Sequence, residues 1–456
     1  MTLCLFAAVL IPFLLRKKSK PNIILIVIDA LRSDHLSCYG YHRNTTPYID
    51  SLAENGLIFK NCVSQSPWTL PSMASIFTSQ YPSQIGVGAV ADKKGMHNLY
   101  QKTPSAFHKE AVTLAEVFDN NEYYTVSIAP NYFVSEKFGL SQGFGKTFYR
   151  RHKNAKQVID LAIRELNKNH EKKIFMYLHF MDVHVPTHPP LPYSHLYPTL
   201  DDEPHNKKHY EWGYKTGKSI GTQEFKEYKS HKIALYDGAL NFIDIQIQRL
   251  MKFLQNSPLQ GKNIVVISSD HGEEFWDHSS FEKKHYQDPR GYYGIDHGHT
   301  MFRELLDVPL VIYGKEVPKQ SVSQQVRNLD IMPSLIGLAK IRKNGSRMEG
   351  INIIEKVKTN KIKDLLAVSE DIAYGYEKKS IQDSGYKYIS GKVDLFFHKK
   401  KDPLEKKNII EKKPELALKY KKALHGFFDT LQLQERKSVK KDKELIKELR
   451  SLGYIK

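Results

Sequence analysis

The run Asn22-Ile23-Ile24-Leu25-Ile26-Val27-Ile28 is apolar along almost its whole length and ends in a carboxylate, Asp29. Such a run reads as a strand buried on both faces, which requires covering layers on either side of its sheet. Further short β-rich runs recur at 124–128, 174–180, 264–268 and 308–313, with helical stretches between them. The alternation predicts an α/β fold, a mainly parallel central sheet with helices on both faces. Chemistry in such a sheet collects at the carboxyl ends of the strands. Asp29 ends the first run, Asp182 and His184 follow the third, and Asp270 and His271 follow the fourth. These ends, far apart in sequence, are expected to converge.

A chain of 456 residues exceeds the roughly 250–300 residues at which single cores stop growing, so one large unit and a smaller one are expected. A hydrophobic share of 41% argues against disorder. The formal charge of +18 favours anionic ligands: sulfate or phosphate esters, acidic glycans, anionic lipid or nucleic acid. Lysine-dense stretches such as Lys399-Lys400-Lys401 and Lys440-Lys441 read as solvated surface, and no recognition motif supports nucleic acid. Cys4, Cys38 and Cys62 form neither a disulfide framework nor a zinc knuckle. The apolar stretch at 2–15 falls short of the roughly 20 residues of a comfortable membrane span. With Arg16-Lys17-Lys18 behind it, the segment 1–20 is expected to be a short leader or anchor. A membrane-associated or extracytoplasmic protein is expected, although the basic cluster by itself favours the cytoplasmic side, which stays open. The stretch 187–221, rich in Pro, His, Tyr and Lys, reads as a long insertion loop.

Pro71 suits the first turn of a helix through Met73, Ala74, Ile76 and Phe77. Thr69 then lies just before a helix N-terminus, where free N–H groups favour an anion. Its hydroxyl is a poor nucleophile unless a metal or a base activates it. The plain alternative is a capping threonine without chemistry.

Several segments occur in a telling order: Ile28-Asp29, Leu31-Arg32-Ser33-Asp34-His35, Cys38-Tyr39-Gly40-Tyr41, Thr46-Pro47-Tyr48-Ile49-Asp50, Ser66-Pro67-Trp68-Thr69-Leu70-Pro71-Ser72, Ser269-Asp270-His271-Gly272-Glu273, His297-Gly298-His299-Thr300 and Val308-Pro309-Leu310. Together they resemble the sulfatase branch of the alkaline phosphatase superfamily over nearly the whole chain. The resemblance implies a catalytic domain over 21–345, closed near Asp330-Ile331-Met332-Pro333-Ser334-Leu335. It also implies a small α+β C-terminal subdomain with a helical tail over 346–456, ending in Leu452-Gly453-Tyr454. It makes Asp29, Thr69, Asp270 and His271 the ligands of a divalent metal. Asp29 is followed by Ala30 rather than by a second aspartate, and the mixed oxygen and nitrogen donors favour zinc or manganese over calcium.

In the same resemblance His184 is the general acid on the leaving oxygen, and His299 a further catalytic residue. Asn131 and His297 contact the substrate anion. A second reading, from two-metal phosphodiesterases, gives another metal to Asp182, His184 or His188, and His297. Thr69 stands where a sulfatase carries the cysteine that matures into formylglycine, so no formylglycine is expected. Met73 replaces the arginine that anchors it, and a Gly-Lys-Trp-His segment is missing. The expected function is a metal-dependent hydrolase of sulfuric or phosphoric esters, with Thr69 favouring phosphate through a phosphothreonine. The alternatives are an arylsulfatase-type enzyme, a membrane-linked phosphoethanolamine or glycerophosphate transferase, and an inert protein binding anionic glycan or lipid. The intact metal set argues against the last.

Overall fold

The computed structural model describes residues 20–108, 110–149, 154–198, 221–343, 345, 347–451 and 454. The leader at 1–19, Cys4, the insertion beyond residue 198 and Leu452-Gly453 lie outside the described residues. Among the described residues no helix is long and apolar enough to cross a membrane.

Eight strands form the central sheet: β1 (Asn22–Ile28), β2 (Leu57–Val63), β3 (Tyr124–Ile128), β4 (Lys146–Phe148), β5 (Ile174–Phe180), β6 (Asn263–Ser268), β7 (Asp307–Gly314) and β8 (Gln320–Arg327). Their order is β8-β2-β7-β6-β1-β5-β3-β4. Only β7 runs antiparallel to its neighbours, while β1 pairs in parallel with β5 and β6. The α/β fold and mainly parallel sheet expected from the sequence are present.

Alternation along β1 explains the two covering layers. Ile23, Leu25 and Val27 enter one core with α2 (Thr69–Thr78) and α5 (Ile331–Ala339). Ile24, Ile26 and Ile28 enter the other with α1 (Pro47–Glu54), α3 (Ala155–Lys168) and the long α4 (Gln223–Gln255). Each face buries its own set of side chains, at about 25 cal/mol per Å² of apolar surface.

A second sheet follows, an antiparallel meander of β9 (Ala367–Ser369), β10 (Lys379–Gln382), β11 (Tyr386–Ser390) and β12 (Leu395–His398). α6 (Pro414–Asp429) packs on it through Ala417 and Leu424. The chain then returns to the large unit: α7 (Lys443–Ser451) buries Leu445 and Leu449 in the core that contains Trp68 and Met73.

Candidate active site

Three chain features bring the key groups together. β1 delivers Asp29, β6 delivers Asp270 and His271, and α2 begins between them at Thr69. The helix starts at Thr69, with Trp68 as its N-cap residue and Pro71 inside the first turn. Thr69 is therefore the first helical residue rather than the residue before the helix, and its hydroxyl is turned to the strand ends instead of capping. Ser64 and Ser72 both donate to the Asp270 carbonyl, which ties β2 and α2 to the end of β6. Behind Asp29 the backbone bends sharply: Ala30 has φ 58°, a left-handed conformation that costs a non-glycine residue energy.

Asp29, Thr69, Asp270 and His271 are all fully buried. The Thr69 Oγ1 lies 3.2 Å from His271 Nε2 and 3.4 Å from Asp29 Oδ2. His271 Nε2 is 3.4 Å from carboxylate oxygens of both aspartates. His271 Nδ1 donates to the Gly272 carbonyl at 2.8 Å, which leaves Nε2 as the free nitrogen facing the carboxylates. Asp29 Oδ1 and Asp270 Oδ2 are buried without hydrogen-bond partners. Two neighbouring buried carboxylates with orphaned oxygens and one imidazole nitrogen fit a divalent cation. Asp29, Asp270 and His271 indeed place ligand atoms within 4.8 Å of one another.

The pair is electrostatically split. Burial resists ionisation of Asp29, but His184, His179 and His271 hold its carboxyl well below the usual range. Asp270 is pushed up by burial and then by the Asp29 charge. Asp29 Oδ2 accepts hydrogen bonds from His179 Nε2 at 2.8 Å and Asn131 Nδ2 at 2.7 Å. His179, inside β5, was not singled out from the sequence. Asn131 Oδ1 also accepts from Phe133 N at 2.9 Å. The structure thus sets Asn131 on Asp29, as a brace for that carboxylate.

His184 and His297 line the same site. Their rings lie 4.9 Å apart, and His297 lies 4.3 Å from the His271 ring. His184 Nδ1 donates to the Val185 carbonyl at 2.6 Å, while its Nε2 is buried without a partner. Burial, and then the His271 charge, push His297 well below the ordinary imidazole range.

Other expected residues go elsewhere. Asp182 accepts from Ala155 N at 2.9 Å and so caps the start of α3; burial pushes its carboxyl up to about 7. His188 is exposed. Among the described residues, no metal-sized group contains Asp182, His188 or His297, so the second metal set is not brought together. His299 sits 2.9 Å from Glu274 and 3.4 Å from Glu282. It belongs to a separate buried charge cluster, not to the Thr69 group. Met73 is buried beside Tyr177, its sulfur 3.7 Å from the phenol oxygen.

The sequence reading gave Tyr454 no chemical role. Its hydroxyl lies 3.4 Å from Thr69 Oγ1 and 2.8 Å from His297 Nε2.

Comparison with known proteins agrees with this architecture. A family model described as Sulfatase matches residues 21–341. A sulfatase of Formosa agariphila is 24% identical over 448 residues, covering 86% of this chain and 83% of the relative. A structure solved in complex with its substrate D-glucosamine-2-N,6-O-disulfate superposes with TM-score 0.71 at 18% identity, over 90% of this chain and 97% of the other. The phosphonate monoester hydrolase of Agrobacterium radiobacter superposes with TM-score 0.66 at 17% identity, over 90% and 95%. With its strand ends, its buried carboxylate–imidazole group and these matches, the chain belongs to the sulfatase family of the alkaline phosphatase superfamily and is a hydrolase of ester substrates.

Proposed function

We propose that this protein hydrolyses anionic esters through Thr69, with phosphoric esters preferred to sulfuric ones. The observation that carries the reading is the Thr69 hydroxyl, 3.2 Å from His271 Nε2 at the mouth of the Asp29–Asp270 pair. Asp29, Asp270, His271 and Thr69 would hold a zinc or manganese ion, which when bound supplies the positive charge that lets a threonine hydroxyl ionise. Thr69, its proton released to solvent, would form the new bond from Oγ1 to the central atom of the ester while the bond to the alcohol oxygen breaks. His184 in its imidazolium form, with Nδ1 on the Val185 carbonyl, gives its Nε2 proton to that oxygen. The neutral ring then takes a proton from the water that opens the threonine ester. Asn131 and His179 hold Asp29 in place while this happens. The choice of phosphate follows from the nucleophile. A formylglycine hydrate expels sulfate by re-forming its aldehyde, whereas a threonine ester is opened by a second attack, which suits a phosphothreonine. A phosphonate monoester hydrolase among the structural neighbours supports this branch.

A second reading, hydrolysis of sulfuric esters of acidic glycans, is favoured by the sulfatase of Formosa agariphila and the disulfated glucosamine of a neighbour. An extracytoplasmic location goes with either reading; a reporter fused after Lys456 and active only in the cytoplasm would remove it.

The deciding experiment compares matched phosphate and sulfate esters on wild type, Thr69→Ala and Thr69→Ser. The expected result is faster phosphate turnover, none in Thr69→Ala, a measurable remainder in Thr69→Ser, and an acid-stable phosphothreonine on quenching. Wild-type enzyme that cleaves an aryl sulfate faster than every phosphate ester tried reverses the preference.

A further inference from the structure

The Thr69 hydroxyl proton has three acceptors within reach: His271 Nε2 at 3.2 Å, Asp29 Oδ2 at 3.4 Å and the Tyr454 phenol oxygen at 3.4 Å. The first two belong to the group that faces a cation. The third does not, and it leads on to His297 Nε2 at 2.8 Å. A phenol has one hydrogen to donate and lone pairs to accept with. It can therefore accept from the Thr69 hydroxyl and donate to His297 at the same time, and it can donate to the Thr69 oxygen once that has ionised.

We propose that Tyr454 is a positioning residue of the active site, whose hydroxyl fixes the direction of the Thr69 hydroxyl and holds His297 beside it. The inference rests on Thr69 being the nucleophile. What it adds is that the segment beyond α6 supplies part of the reacting centre, although all the other groups come from the strand ends, the start of α2 and their adjoining loops.

The placement of Tyr454 is over-determined. Its ring meets Phe133 edge to face at 4.9 Å and lies 6.2 Å from Trp68, the residue preceding the nucleophile. Tyr374 donates to the Tyr454 carbonyl at 2.9 Å, and Tyr454 N donates to Leu449 at 2.9 Å. The path that leads there is pinned in turn. Arg436 reaches Asp371 at 3.0 Å, Val439 N reaches the Pro104 carbonyl at 3.0 Å, and Tyr149 donates to Glu448 at 2.6 Å. A core tyrosine seeking any partner for its hydroxyl would give the same burial. It would not require that partner to be the nucleophile, and this difference can be measured.

Tyr454→Phe keeps the ring and removes only the hydroxyl. On a phosphate ester it is expected to lower kcat about tenfold, the size of one lost hydrogen bond, with KM unchanged and a small fall in melting temperature from the unpaired His297 nitrogen. Unchanged kcat in Tyr454→Phe overturns the positioning role. Labelling with diethyl pyrocarbonate, mapped by mass spectrometry, tests the placement without turnover. His297 Nε2 is held by the phenol, so the Tyr454→Ala protein is expected to be modified at His297 severalfold faster than wild type. Equal labelling overturns the placement. A wild-type protein that turns over no ester refutes the proposed function instead, and the labelling still decides whether Tyr454 covers His297.

Discussion

Asp29 and Asp270 are neighbouring buried carboxylates that each keep one oxygen without a partner. Asp270→Ala and His271→Ala are therefore expected to lose bound metal and nearly all activity while their far-UV circular dichroism stays that of wild type. Full metal content in either purified variant would count against the ligand assignment. His184 has a buried, unpartnered Nε2, the atom to which the proposed function gives the general acid role. His184→Ala should cost about 10² to 10⁴ in rate for alkyl esters and much less for nitrophenyl esters, whose leaving groups need no proton. Equal losses on both would remove the general acid role. The meeting of residues 29, 69, 270 and 271 was readable because each follows a strand or begins a helix, positions where sequence marks geometry. His179 was not readable: it lies within Ile174–Phe180, a wholly buried strand, where an apolar pattern conceals one polar member. Asp182 looked like a ligand but caps α3, a role that depends on where the helix starts in space.

Among the elements, the strand-end turns carry the site. Gly272, just after His271, has no room for a side chain: an added Cβ would lie 1.9 Å from the Glu304 carbonyl oxygen. Gly272→Ala must push apart β6 and the approach to β7, at a cost of about 1–3 kcal/mol for overpacking. It is expected to lower the melting temperature and, by shifting His271, the metal affinity as well. A variant that melts with wild type would show that the turn relaxes freely. The same scale shows why three strands of the central sheet escaped the sequence reading. β2 exposes Lys60 and Asn61 in mid-strand. β8 is an edge strand of largely polar residues, and β4 has only three residues. None has the continuous apolar run by which β1, β5 and β6 declare themselves.

Across the whole molecule, ionic groups are buried well beyond the Thr69 group. Burial opposes a charged His278, yet Glu304 raises it to about 9. Likewise burial opposes and Glu282 and Glu274 raise His299 to about 10. These imidazoles charge more readily when folded, so their stabilisation is complete below the ordinary value of 6.5 and disappears as pH rises through 9 and 10. Glu274, pushed up to about 7 by burial and Glu282, acts in the same direction. Urea midpoints are expected to fall from pH 6.5 towards 10, and less steeply in His299→Gln. Parallel curves for the two proteins would show that this cluster does not set the alkaline limit. The parallel sheet also has a consequence for synthesis. β1 is made early, but its partners pair Leu25 with Tyr177 and Val266, which are made much later. Until they emerge, an apolar strand with two bare edges stands ready to join another nascent chain, so fast overproduction will yield inclusion bodies where slow translation with a chaperone yields enzyme.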